Sequence, residues 1–71
     1  MNKRKLESLM KLHGDTQTTL AKAMGISVSR LNLKINQRNA EFTQSEIAFI
    51  IDRYHMNTDE AVACFFDPEL S

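Results

Sequence analysis

Residues 17–36 read QTTLAKAMGISVSRLNLKIN, from Gln17 to Asn36. Two short helical patterns meet there at Gly25. In the first, Leu20, Ala21 and Met24 share one face. Ile26 falls in the turn. In the second, Leu31 and Ile35 stand at i and i+4 and share another face. Two short helices joined by a tight glycine turn are the pattern of a helix-turn-helix. The rest of the chain is organised around that stretch.

Upstream, residues 3–13 read as a first helix. Leu6, Leu9 and Met10, extended to Leu12, form its apolar stripe, with Lys5, Glu7, Ser8 and Lys11 outward. Gly14 is placed to end it in a left-handed conformation. Asp15 or Thr16 then caps the helix at 17–24, and Ser27 caps the next, at 28–36. Residues 36–42, NQRNAEF, are a polar connection. Thr43-Gln44-Ser45-Glu46 fits a capping box, and Phe42 with Ile47 fits the hydrophobic staple that accompanies one. The fourth helix runs to about His55, with Ile47, Ile50, Ile51 and Tyr54 on one face. Asn57 or Thr58 caps a fifth, at about 59–66, carrying Val62, Phe65 and Phe66, and Pro68 stops it. No strand-like alternation and no internal repeat occurs. The expected fold is all-α: one domain, residues 1–71, a compact five-helix bundle.

A 71-residue chain has a marginal core. Its one cysteine, Cys64, cannot form an internal bridge, which fits a reducing compartment. The start, MNKRKLESLM, is basic, but no apolar signal region follows it. No apolar run is long enough to span a membrane. The expected location is therefore the cytoplasm.

Net charge is zero, but it is unevenly distributed. Residues 1–38 hold eight basic residues against Glu7 and Asp15, a surplus of six positive charges. Residues 39–71 hold Arg53 against seven acidic residues, the opposite surplus. A solvated face on each half would account for the split alone. The basic half, however, is also the half with the helix-turn-helix, which hints at a polyanion.

Catalysis has little to work with. His13 and His55 lie on different helices, and neither shows a metal-ligand spacing with Cys64 or a carboxylate. Both read as helix-end residues. Cys64 reads as a small packing residue, and the methionines as core. No enzyme activity, metal or cofactor is expected.

In a helix-turn-helix the second helix enters the DNA major groove. Gln17, first residue of its helix, can reach a phosphate where the helix N-terminus also favours an anion. Leu31 and Ile35 face inward, and Val28 falls near that face too. Ser29, Asn32 and Leu33 point elsewhere. Asn32 suits bidentate pairing with adenine, Ser29 a base or a phosphate, and Leu33 or Val28 a thymine methyl. Ser27, Arg30, Lys34, Asn36, Gln37 and Arg38 surround this face and suit phosphates. Leu33 beside Val28 makes the surface apolar, which equally suits a protein partner. No separate dimerisation strand is present, so a weak homodimer would use Phe65, Phe66 or the last two helices.

The stretch 17–36, with Leu20-Ala21, Met24-Gly25-Ile26, Ser27 and Leu31, resembles the Cro/repressor type of helix-turn-helix. The run Lys34-Ile35-Asn36, then residues 40–47, is similar to small regulators of temperate phages of Gram-positive bacteria. The five-helix plan covers nearly the whole chain. The resemblance implies a lambda-repressor-like five-helix fold and a role in the lysis–lysogeny decision. Such proteins include Cro-like repressors that bind operator DNA, and modulators of repression that bind the phage's own repressor. In the family, residues matching Gln17, Val28, Ser29 and Leu33 commonly meet DNA.

Overall fold

Every helix begins at a side chain that accepts from a free backbone N–H. In the computed structural model, which describes residues 1–66, the elements are α1 (Lys3–Leu12), α2 (Gln17–Met24), α3 (Val28–Ile35), α4 (Gln44–Arg53) and α5 (Thr58–Ala61). A π-helical turn, Val62–Phe66, continues α5. The caps are Asn2, Thr16, Ser27, Thr43 and Asn57. Thr16, rather than Asp15, caps α2, and Asn57, rather than Thr58, caps α5. Three of the five are reciprocal boxes. Thr43 pairs with Glu46 as the sequence predicts, Thr16 with Thr19, and Asn57 with Glu60. Each such cap satisfies donors that the first turn leaves without a partner. Pro68, expected to stop the last helix, lies outside the described residues.

The first four helices end alike. A left-handed residue follows each: Gly14, Gly25, Gln37 and His55, with φ of 75°, 75°, 53° and 50°. The next amide donates to the carbonyl five residues back: Asp15 to Met10, Ile26 to Ala21, Arg38 to Leu33, Met56 to Ile51. This is the Schellman closure. Glycine fills it without steric cost at two of the four positions. Gln37 and His55 carry a Cβ into the same conformation.

The core draws on every helix. Leu6, Leu20, Leu31, Ile35, Ile50 and Cys64 are fully buried. Met10 and Met56 join them, with Met1 and Met24 packed at the margin. Among the described residues there is no strand, and no helix is long and apolar enough to cross a membrane.

Leu12, expected on the α1 stripe, lies outside the core, as do Val62 and Phe66 on the last segment. Leu12 is 77% exposed, Val62 48% and Phe66 58%. On the last segment the inward side is Ala61 and Cys64, with Phe65 at its margin. These small residues let α1 approach closely enough for the Asn2 amide to donate to the Cys64 carbonyl at 2.6 Å. Val62 and Phe66 then fall on the opposite side. Burial pushes the Cys64 thiol up to about 11, so it stays protonated and packs as an apolar group.

One residue ties three helices together, α1 through its backbone amide and α2 and α4 through its carboxylate. Asp15, between α1 and α2, accepts from Arg53 Nε at 2.7 Å and Nη2 at 2.9 Å. It also accepts from the Tyr54 hydroxyl at 2.7 Å and the Thr19 hydroxyl at 2.8 Å. The His13 ring stacks on Tyr54 at 4.9 Å. The Arg53 guanidinium holds the Asp15 carboxyl well below the usual range against the effect of burial, and Tyr54 and Thr19 add to it. Burial and the Asp15 charge together push the Tyr54 phenol up.

Because the folded Asp15 is the stronger acid, it contributes stability above its unfolded pKa of about 3.9 and loses it as pH falls. Thermal unfolding followed by circular dichroism is expected to show a falling midpoint below about pH 4. Asp15→Asn is expected to be less stable at neutral pH, with a flatter acid limb. Tyr54→Phe removes a buried hydrogen bond to a charge and should cost roughly 1.5–3 kcal/mol. At the end of α4, His55→Gly relieves a left-handed side chain and should gain about 0.5–1 kcal/mol after the entropy of the unfolded glycine is counted. A raised urea midpoint at unchanged slope would register it.

Candidate nucleic-acid interface

The α2–α3 pair is set by its three-residue turn. Gly25 takes φ 75° and ψ 27°, its amide donating to the Lys22 carbonyl. Ile26 tucks against the core. The Ser27 hydroxyl accepts from the Arg30 amide at 3.0 Å and starts α3. The cap uses one lone pair of that oxygen and leaves its O–H donor for another partner.

α3 has two faces of different chemistry. Leu31, Lys34 and Ile35 are buried. They follow the i, i+3, i+4 spacing of a single inward stripe. The opposite stripe, Ser29, Asn32, Leu33 and Asn36, has the same spacing and lies at the surface. Ser29, Asn32 and Leu33 are exposed and Asn36 is half-buried. Val28 and Leu33 are 42% and 43% exposed. With Gln17, Ser29 and Asn32 they line an open cleft of about 400 Å³. The Asn32 amide Nδ2 donates to Gln17 Oε1 at 3.2 Å, linking the first turn of α2 to the middle of α3. Asn32 keeps its Oδ1 and one N–H free of that bond, which leaves one acceptor and one donor for a base edge.

Lys34 departs from expectation. It is 5% exposed and lies on the inward stripe of α3. Its ammonium is 2.6 Å from Glu46 Oε1 and 3.5 Å from the Glu41 carbonyl. The same Glu46 oxygen accepts from the Thr43 amide at 2.8 Å, closing the α4 capping box. Burial works to raise the Glu46 carboxyl, but Lys34 and Thr43 outweigh it and hold it below the ordinary value. Lys34 is therefore an internal cation fixing α3 to the start of α4, not a phosphate-holding group. Its place between Leu31 and Ile35 was the sequence signal for this.

The other candidates divide. Arg30, Gln37 and Arg38 are exposed around the α3 surface. Among the described residues, neither arginine has a carboxylate partner. Asn36 accepts from Lys3 Nζ at 2.6 Å, bringing in a residue from the start of α1 that sequence reasoning did not select. The two lie 33 residues apart, and no local pattern joins them. Phe65 is elsewhere, edge-on to Phe42 at 6.2 Å, in a cavity with Met1 and Ile47. The proposed partner residues Val28, Leu33, Phe65 and Phe66 thus do not share one cavity. His13 and His55 stand at helix ends. No group of three or more metal-ligating side chains occurs among the described residues.

No known family model, curated protein or solved structure matches the chain. The surface offers hydrogen-bonding amides and a hydroxyl, two half-exposed apolar side chains, and flanking arginines. The buried pair behind it has a separate, structural consequence. Lys34→Ala leaves the Glu46 charge with the Thr43 amide as its backbone donor. It is expected to cost roughly 2–3 kcal/mol, below the range for a wholly buried pair because Glu46 retains some solvent. Urea unfolding at neutral pH would measure it.

Proposed function

We propose that the chain is a phage-type transcriptional regulator of a lysis–lysogeny switch, acting in the host cytoplasm. In this reading, α2 and α3 are a helix-turn-helix and operator DNA is the ligand. The observation that carries it is the Gln17–Asn32 pair in the α2–α3 cleft. It places an amide for the phosphate backbone beside an amide for a base edge. Ser29 lies on the same stripe, and Arg30 and Arg38 supply positive charge around it. Paired copies would read half-sites about 34 Å apart, one helical turn.

A second reading is favoured by one specific observation, the half-exposed Val28 and Leu33 inside the same cleft. Here the chain is an antirepressor, a modulator of repression that binds the cognate phage repressor and has weak DNA affinity of its own. Apolar side chains in a cleft give a protein partner surface to bury, and give DNA little beyond a thymine methyl.

Fluorescence anisotropy with the DNA next to its own gene, across a salt series, separates the two. Arg38→Ala is expected to reduce the salt slope by about one. Gln17→Ala, which removes no charge, should weaken binding at an unchanged slope. Asn32→Ala should relax preference at one base pair. Salt-insensitive or absent binding at micromolar protein would sink the operator reading. Loss of a repressor pull-down on Leu33→Asp would then support the antirepressor reading, and an intact complex would exclude this surface as the contact.

A further inference from the structure

We propose that Lys3 is a phosphate-holding residue of the α3 surface, aimed at a nucleic-acid backbone by Asn36. The proposal rests on the DNA reading above and extends it to a different helix. Asn36 is the last member of the outward stripe that runs through Ser29, Asn32 and Leu33. Its own amide is fixed, because Nδ2 donates to the Asn32 carbonyl at 2.9 Å. That bond turns Oδ1 toward Lys3 Nζ, 2.6 Å away. The result is a hydrogen-bonded track with Gln17 at one end, Asn32 and Asn36 in the middle, and an ammonium at the other end.

The choice of partner matters. Glu7 stands one turn along α1 at i+4, within reach of a helical ion pair. Lys3 bonds Asn36 instead, and among the described residues no carboxylate pairs with it. A neutral amide orients the charge without cancelling it. An ammonium has three donors and Asn36 takes one, so two remain on an exposed side chain. Lys3 also sits by the C-terminal end of α3, whose carbonyl dipole favours a cation there. This fixes the ammonium at the end of the outward stripe, where a nucleic-acid strand laid along α3 would pass.

The test is binding of the full chain to a short duplex of mixed sequence, by fluorescence anisotropy across a salt series. Each variant's fold is checked by circular dichroism. Lys3→Gln is expected to lower the slope of log affinity against log salt by about 0.9, the loss of one phosphate contact. Lys11→Gln removes the same charge about 12 Å further along α1 and is expected to leave the slope as it was. Asn36→Ala keeps every charge but releases the aim, and is expected to weaken binding. An unchanged slope in Lys3→Gln overturns the assignment, as does an equal loss in Lys11→Gln, which would reveal net charge alone. An unchanged slope joined to a weakened repressor complex would place Lys3 in a protein interface instead. Absence of salt-dependent binding by the unaltered chain overturns the operator reading and this assignment with it, an outcome distinct from failure of Lys3 alone.

Discussion

The Asp15 carboxylate is the constraint from which the rest of the arrangement follows. It lies in the short link between α1 and α2, and its partners come from α2 and from the end of α4. Thr19 belongs to the first turn of α2, and Arg53 and Tyr54 to the end of α4. Four donors on one carboxylate leave it little freedom. The side chain of Asp15 is 7% exposed, so removing any donor would leave a charge in a poorly hydrated place. Thr16 caps the same helix one residue later. The start of α2, and with it Gln17, is therefore held by α4 as well as by its own cap.

The other end of α4 holds α3 in a comparable way. Glu46 serves the capping box of α4 and the ammonium of Lys34 with one oxygen. α4 thus grips both helices of the candidate interface from behind, α2 through its C-terminal end and α3 through its N-terminal end. A buried ion pair is weak evidence for net stability, because desolvation offsets much of its attraction. Its more secure consequence is orientation. With Leu31, Lys34 and Ile35 all engaged inward, α3 cannot rotate without breaking the pair, so the stripe through Ser29, Asn32, Leu33 and Asn36 must face out. The charge spent inside is one fewer for the surface, which leaves Arg30, Arg38 and Lys3 as the cations around it.

How far this was legible in the sequence depends on range. Helix starts were readable because a cap and its acceptor lie within three residues, and the Thr43–Glu46 box is the clearest case. Glycine-marked ends at Gly14 and Gly25 were readable for the same reason. The equivalent ends at Gln37 and His55 carry no glycine, so only the backbone shows them. On the last segment, Val62, Phe65 and Phe66 are the large apolar groups, but residue type alone does not say which side faces in. The small residues Ala61 and Cys64 took the inward side, because α1 comes close enough there to hydrogen-bond the Cys64 carbonyl. The Lys34–Glu46, Lys3–Asn36 and Arg53–Asp15 contacts span 12, 33 and 38 residues. No periodicity encodes such pairs. The inward position of Lys34 was nonetheless available from its spacing with Leu31 and Ile35. A basic residue within a basic half reads as surface, although the spacing of Lys34 points inward.

The cleft also constrains what can occupy it. Gln17, Val28, Ser29, Asn32 and Leu33 line one space, so the apolar and hydrogen-bonding groups cannot be served by two large partners at once. A protein that buries Val28 and Leu33 must also cover Ser29 and Asn32, and a duplex that bonds Asn32 must lie over Leu33. DNA and a protein partner at this surface would therefore compete. Burying the remaining exposed part of Leu33 is worth about 1 kcal/mol, too little to choose between them. The polar groups decide more strongly, because each one covered without a partner costs about 1–3 kcal/mol. The occupant that satisfies Ser29, Asn32 and Gln17 together is the one this surface selects.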